Sequence, residues 1–335
     1  MEYRRLGRSG LLVSDICLGT MTFGNQVDEA DAHRLLDRAL DAGINFYDTA
    51  EMYAVPPTAE SYGRSEAILG SWLKTKPRDR IIVATKITGP CHDPRGDFVS
   101  WIRGGGAALD WHHFARAIEA SLRRLGTDYV DLYQTHWPDR TVPMTAQLEA
   151  FERLIEAGAM RYAGVSNETP WGLTRLLATA EAEGLPRMVS VQNNHSLLKR
   201  DFESGMAEVC QREEVGMMAF SPLAGGVLSG KYSGGAQPEG ARMTVFSARF
   251  RERYAHPRAL AAADRYVAIA REAGLDPAAM AVAWMRSRPG VTSALPGCTD
   301  AAQLETIIAA GDITLGDDVA QAIDAVHAEM TNPVV

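Results

Sequence analysis

The chain of 335 residues contains only four cysteines, Cys17, Cys91, Cys210 and Cys298. They are scattered and form no C-x-x-C pair. That spacing excludes a disulfide framework and predicts reduced thiols in a cytoplasmic protein. No apolar run approaches the roughly 20 residues that a membrane span requires. The opening MEYRRLGRSGLLVSD carries charge but no apolar stretch, so it does not read as a signal peptide. No cluster of Lys and Arg stands out, and the net charge is -8 with a pI near 5.5. Nucleic acid is therefore not an expected partner. Short-period repeats and low-complexity tracts are also missing, which predicts a single domain over residues 1–335.

What is present is ordinary for a globular enzyme: 46% hydrophobic and 23% charged residues. Short apolar runs alternate with amphipathic helical segments, the pattern of parallel α/β folds. Eight runs read as strands, at residues 16–20, 45–48, 81–86, 130–136, 162–166, 189–193, 216–220 and 293–296. A hairpin with Gly7 and Gly10 at its turn precedes them. The helices are well punctuated. Asp28 is a cap for a face of Ala32, Leu35, Leu36, Ala39 and Leu40, closed by Gly43. Phe114, Ile118, Leu122 and Leu125 make a second face, closed by Gly126. Thr169-Pro170 and Asp276-Pro277 each read as a cap followed by proline in the first turn. Val319, Ile323 and Val326 mark a last helix outside the strand–helix alternation. These features predict an α/β TIM barrel with an N-terminal hairpin and an extra C-terminal helix. Two long connections, residues 89–110 and 222–256, depart from the alternation and are candidates for functional loops.

A barrel presents its chemistry at the C-terminal strand ends. The second strand leads into Asp48-Thr49-Ala50-Glu51-Met52-Tyr53, the third ends at Lys86, and the fourth ends at His136, followed by Trp137. Converging strand ends bring these groups together. A phenol with pKa near 10 exchanges protons poorly at neutral pH. A neighbouring ammonium favours the phenolate and lowers that value. An aspartate keeps the lysine charged and placed, and a histidine can orient a substrate oxygen. Together they suit proton donation to a carbonyl oxygen, with Tyr53 as the acid.

Asp48, Tyr53, Lys86 and His136 resemble the tetrad of the aldo-keto reductases. The resemblance extends over nearly the whole chain. It includes Gly19-Thr20-Met21-Thr22-Phe23-Gly24, the run from Gly43 to Ala50, the run from Ser121 to Tyr129, and Gly164-Val165-Ser166-Asn167. Ala50-Glu51-Met52-Tyr53-Ala54-Val55-Pro56-Pro57 and Val165-Ser166-Asn167-Glu168-Thr169 are most similar to the bacterial Tas-like branch. The resemblance implies a nicotinamide cofactor, NADPH with NADH not excluded, bound on the barrel without a G-x-G-x-x-G loop. It implies that Thr20 and Met21 border the cofactor and that Ser166, Asn167 and Gln192 bond the nicotinamide amide. Phe220 would stack on its ring. Ser221-Pro222-Leu223-Ala224-Gly225-Gly226-Val227-Leu228-Ser229-Gly230-Lys231 would fold over the pyrophosphate. Leu295-Pro296-Gly297-Cys298-Thr299 and Gln303 would meet the adenosine end. A small carbonyl compound would lie near Phe23, Tyr53, His136 and Trp137.

Three departures stand out. Thr299 and Ile307 replace an arginine and an asparagine that many members direct at the 2′-phosphate of NADP, and His195 replaces a tyrosine, which is expected to alter the cofactor or substrate edge. Gly225-x-x-x-x-Gly230-Lys231 imitates a phosphate-binding loop, but Tyr232 stands where Ser or Thr must bind magnesium. Cys91-His92-Asp93 and His112-His113 supply no four-ligand set, so no metal is expected. Two other functions compete with a reductase: a cofactor-sensing subunit of a larger assembly, and a lyase with Lys86 as Schiff-base amine. The oligomeric state is not legible.

Overall fold

The computed structural model describes residues 1–90, 99, 101–104, 107–245, 252–254 and 256–334. Strands β1 (Tyr3–Arg5) and β2 (Leu12–Ser14) pair antiparallel as a hairpin. Eight further strands follow: β3 (Leu18–Gly19), β4 (Phe46–Asp48), β5 (Ile82–Ile87), β6 (Val130–Thr135), β7 (Met160–Ser166), β8 (Met188–Asn194), β9 (Gly216–Phe220) and β10 (Val291–Leu295). They pair in parallel in the order β3-β4-β5-β6-β7-β8-β9-β10. The sheet closes on itself: Cys17 N–H donates to Ala294 O at 2.8 Å and Gly19 N–H to Pro296 O at 2.9 Å. This is a TIM barrel, with strands at all eight expected places. Boundaries moved by one to two residues: β6 stops before His136, and β5 continues through Lys86 to Ile87.

The barrel interior is a compact apolar cluster of Leu6, Val13, Cys17, Phe46, Ala84, Leu132, Val189, Met218 and Leu295. Leu6 enters it from the hairpin, so the hairpin plugs the N-terminal end. A second, larger core lies between strands and helices and includes Leu36, Trp72, Phe114, Phe151 and Trp284. Each such side chain contributes on the order of 1.5–3 kcal/mol by leaving water.

The caps operate as read. Asp28 accepts from Asp31 N–H at the start of helix Glu29–Asp41, and Thr169 accepts from Gly172 N–H ahead of Pro170. Asp276 accepts from two backbone amides of helix Pro277–Ser287. Gly126 closes helix Trp111–Leu125 with φ 62°. The final helix, Asp317–Glu329, buries Val319, Ile323 and Val326. At the barrel's N-terminal end Arg286 pairs with buried Asp15 at 2.5 Å, which fastens hairpin to barrel. Cys91-His92-Asp93, Gly105 and Gly106 lie outside the described residues.

Candidate active site

The C-terminal ends of β4, β5 and β6 bring the four expected groups into one buried cluster. Asp48 is the last residue of β4, Lys86 the fifth of six in β5, and His136 follows β6 directly. Lys86 is 0% exposed. A lysine can be held there only because its ammonium is satisfied: Nζ donates to Asp48 Oδ1 at 2.5 Å and to Thr49 O at 2.8 Å. Asp48 Oδ2 accepts from Gln192 Nε2 at 2.8 Å and Gln134 Nε2 at 3.3 Å. The carboxylate is thus fixed from both sides. Lys86 Nζ lies 4.9 Å from the centre of the Tyr53 ring. The His136 ring meets Tyr53 edge-on at 5.6 Å and stacks on Trp137 at 4.3 Å.

Electrostatics assign each group a form. Burial opposes the charge on Lys86, but Asp48 and Tyr53 outweigh it, and the ammonium sits above the ordinary lysine range. Burial and then the Lys86 charge push His136 well below 6.5, so the imidazole is neutral at pH 7. Tyr53 departs from the expectation. Lys86 does act to lower it, but burial raises it more, with Asp48 adding, and the phenol lies above 10. Desolvation of the anion is the larger effect. At neutral pH the hydroxyl therefore carries its proton.

The residues expected around a nicotinamide lie beside this cluster. Ser166 Oγ donates to Gln192 O at 2.8 Å. Asn167 takes φ 53° and its Nδ2 donates to His136 O at 2.9 Å. Phe220 ends β9, partly buried against the barrel interior. The following segment turns through left-handed conformations at Ser221, Ala224, Gly225 and Gly226. A Cβ on Gly226 would lie 2.8 Å from Lys231 Cε, and one on Gly225 would lie 3.1 Å from the Tyr254 ring. Pro222, Val227 and Leu228 anchor the loop in the core, with Leu223 packed against it. At the far end Thr299 N–H donates to Gln303 Oε1 at 3.1 Å, and Gln303 Nε2 donates to Thr299 Oγ1 at 2.8 Å. Gly297 bridges to Gly19 and is exposed.

Some expected residues stand elsewhere. Phe23 is fully buried in the outer core and presents no open face. The Thr20 hydroxyl points inward, donating to Asp48 O at 3.1 Å beside Ser65 Oγ. Met21 contributes its carbonyl, which accepts from Val55 N–H at 3.1 Å. His195 is fully buried between Phe202 and Trp284, and its backbone N–H donates to Phe220 O at 3.2 Å. Cys298 is buried, its thiol pushed up to about 12, and so is unreactive.

Two participants were not singled out from sequence. Arg242, from the long connection after β9, is partly buried near Tyr232 and Tyr254 and within electrostatic reach of Tyr53; burial draws its pKa down while those phenols oppose the shift. Glu51, 0% exposed, pairs with Arg103 through both carboxylate oxygens. The apolar setting of Glu51 between Ala50 and Met52 was its only signal; Arg242 had none.

A TIM barrel with a lysine–aspartate–tyrosine–histidine cluster at its C-terminal strand ends defines a class of oxidoreductase. The chain matches the aldo/keto reductase family over residues 15–328 and belongs to it. It is similar to Protein tas of Escherichia coli (strain K12), 46% identical over 352 residues and 99% of each chain. It also resembles the uncharacterized oxidoreductase YrpG of Bacillus subtilis (strain 168), 36% identical over 321 residues, 95% of this chain and 94% of the relative. A probable voltage-gated potassium channel subunit beta of Oryza sativa subsp. japonica is 32% identical over 333 residues, covering 97% of this chain and 96% of its own. Among the described residues no helix is long and apolar enough to cross a membrane.

Proposed function

We propose that this chain, acting through one barrel domain, reduces an aldehyde or ketone with a nicotinamide dinucleotide and that Tyr53 is the general acid. The observation that carries the reading is the buried Lys86 ammonium, bonded to Asp48 and 4.9 Å from the Tyr53 ring centre. The residues present fit a dinucleotide. Gly225 and Gly226 leave a backbone cradle that a Cβ would fill. Lys231, exposed on the loop and close to Gly226, offers an ammonium to a phosphate pair. Ser166, Asn167 and Gln192 would hold the nicotinamide amide, Phe220 its ring, Ser221 to Lys231 the pyrophosphate, and Gly297, Thr299 and Gln303 the adenosine end. When bound, the reduced nicotinamide supplies the hydride that the carbonyl carbon receives.

The protein's own groups do the rest. The neutral His136 imidazole orients the carbonyl oxygen with its one N–H. Tyr53 gives its proton to that oxygen as negative charge develops there. The phenolate left behind faces Lys86, whose charge is maintained by Asp48, and solvent returns the proton. In Tyr53→Phe we expect turnover to fall roughly 100-fold to 10,000-fold, the usual worth of a positioned acid, with dinucleotide affinity retained. Full turnover in that variant rules the role out. Fluorescence titration with NADPH and NADH decides between them, since Thr299 and Ile307 supply no cation for a 2′-phosphate.

The similarity to a channel subunit beta favours a second reading, a slow cofactor-sensing subunit of an assembly. Tight dinucleotide binding with no oxidation by any aldehyde in a broad panel would support it over the reductase.

A further inference from the structure

The pairing of β7 with β8 ends inside the site. Ser166 and Gln192 are the last register partners of the two strands, and Asn167 N–H still donates to Gln192 O at 2.9 Å. Asn167 then takes φ 53°, which turns the chain out of extended backbone. Its Nδ2 donates to His136 O at 2.9 Å and to Ser166 Oγ at 3.2 Å. The next residue, Glu168, is 4% exposed. Its peptide N–H and C=O therefore need partners, and the strand ladder no longer supplies them.

One side chain supplies both. Glu168 N–H donates to Asn193 Oδ1 at 3.1 Å, and Asn193 Nδ2 donates to Glu168 O at 2.7 Å. A carboxamide carries the donor and the acceptor of a peptide, so Asn193 acts as one further rung of the ladder. Its own backbone is fixed, since it lies in β8 in register with Ala219 of β9. Successive strand residues alternate faces: Gln192 reaches Asp48 Oδ2, and Asn193 reaches the loop after β7. The Glu168 carboxylate is fastened separately. Its Oε1 accepts from Thr169 N–H at 2.7 Å and pairs with Arg140, which is exposed. Different groups thus hold the backbone and the side chain of Glu168, and each can be released alone.

We propose that Asn193 is a positioning residue for the nicotinamide end of the site: by holding the Glu168 peptide it keeps Asn167 in its left-handed turn, with the Asn167 amide against the His136 carbonyl. Left-handed backbone is disfavoured for L residues, less so for Asn. Such a turn persists where its surroundings over-determine it. Without the Asn193 amide, two buried backbone groups lose their partners. Rotation of the peptide between Asn167 and Glu168 relieves them and undoes the turn. The Asn167 amide then leaves its place beside Ser166 and Gln192. The inference rests on the dinucleotide reading of those three residues and adds a fourth that acts through Asn167.

The test uses the full chain and two variants. Asn193→Leu removes both bonds at nearly constant size. Glu168→Gln keeps the backbone pair and removes the charge that faces Arg140. Calorimetry reads binding of NADPH and NADH, and of 2′-phospho-ADP-ribose and ADP-ribose, which lack the nicotinamide. Asn193→Leu is expected to weaken the better-bound dinucleotide about tenfold and to leave its ribose fragment within about twofold. Glu168→Gln is expected to leave both within about twofold. Equal losses for dinucleotide and fragment in Asn193→Leu mark a purely structural role and overturn the proposal, and so does no loss for either. A dinucleotide loss in Glu168→Gln that matches the loss in Asn193→Leu also overturns it, because the carboxylate then carries the effect. A wild-type chain that binds dinucleotide but turns over no carbonyl compound overturns the reductase reading alone, and the calorimetric comparison still decides this one. A wild-type chain that binds no dinucleotide overturns both.

Discussion

Lys86 donates to Asp48 at 2.5 Å while its ammonium stands 4.9 Å from the centre of the Tyr53 ring, so one buried cation serves both a carboxylate and a phenol. Asp48 holds the lysine's proton in place against burial, and Lys86 opposes the desolvation of a Tyr53 anion. Replacing Asp48 by Asn keeps the shape and removes the charge. A buried ammonium without its anion costs about 3–5 kcal/mol. Asp48→Asn is therefore expected to lower unfolding stability by about 3 kcal/mol in a urea titration and turnover by at least about 100-fold. Stability within about 0.5 kcal/mol of the wild type and turnover within about twofold would show that Lys86 does not depend on this carboxylate.

The pH dependence of the reaction follows from the same cluster. His136 is held well below 6.5, by burial and then by Lys86, so it stays neutral on the acid side of neutrality. Tyr53 is held above 10 by burial. A raised pKa keeps the donor protonated, and its activity is lost only as pH climbs through that value. For carbonyl reduction kcat/KM is expected to be flat from about pH 7 to about pH 10 and to fall, about tenfold per pH unit, only above that. A basic limb centred below pH 8 would mean that Lys86 overcomes burial and that the assignment of forms is inverted.

The barrel was legible because its signals are local. Short β-branched strands, the cap at Asp28, the Thr169-Pro170 and Asp276-Pro277 starts and the glycine after Leu125 each act within a few residues. The four-residue cluster was legible for the same reason, since Asp48, Lys86 and His136 stand at or next to strand ends, Tyr53 follows five residues after the first, and strand ends converge. Long-range pairings left no comparable mark. Nothing within residues 101–104 announces that Arg103 will meet Glu51, 52 positions away. The same holds for Arg242, which lies in a connection without periodicity. The direction of the Tyr53 shift was missed because spacing reveals a lysine nearby but not how completely a phenol is buried. Phe23 was expected near the substrate from the family resemblance, but its ring is fully buried in the outer core, which a loop position alone does not reveal.

His195 offers a stability test away from the chemistry. Its Nδ1 bonds Lys199 O at 3.1 Å, its Nε2 has no hydrogen-bond partner, and Glu203 lies 3.5 Å away beside Arg200 and Arg288. Burial is the main cause that brings its pKa down to about 4, with Glu203 opposing and the two arginines assisting. A histidine with a lowered folded value contributes stability that is complete above the unfolded value near 6.5 and is lost as pH falls toward the folded one. The loss is about 3 kcal/mol in total. His195→Asn keeps a donor for Lys199 O and removes the titration. The variant's unfolding free energy is expected to fall less steeply than that of the wild type between pH 6.5 and 4.5, by about 1.4 kcal/mol per pH unit. Parallel curves would place the charge of His195 outside the acid response of the fold.

Gly226 tests the proposed phosphate cradle. Its φ of 96° is one that L side chains rarely adopt, and a Cβ there would stand 2.8 Å from Lys231 Cε. The backbone cost is about 1–2 kcal/mol, and the clash displaces the lysine from the loop it is proposed to complete. Gly226→Ala is accordingly expected to weaken dinucleotide binding about tenfold, since 1.4 kcal/mol is a factor of ten. The loss should shrink for nicotinamide mononucleotide, which lacks the adenosine half and its phosphate bridge. Global stability should fall by no more than that backbone cost, about 1–2 kcal/mol, because both glycines lie in a partly exposed surface turn. If Gly226→Ala binds the dinucleotide as the wild type does while circular dichroism shows an intact fold, the segment from Ser221 to Lys231 does not hold the pyrophosphate.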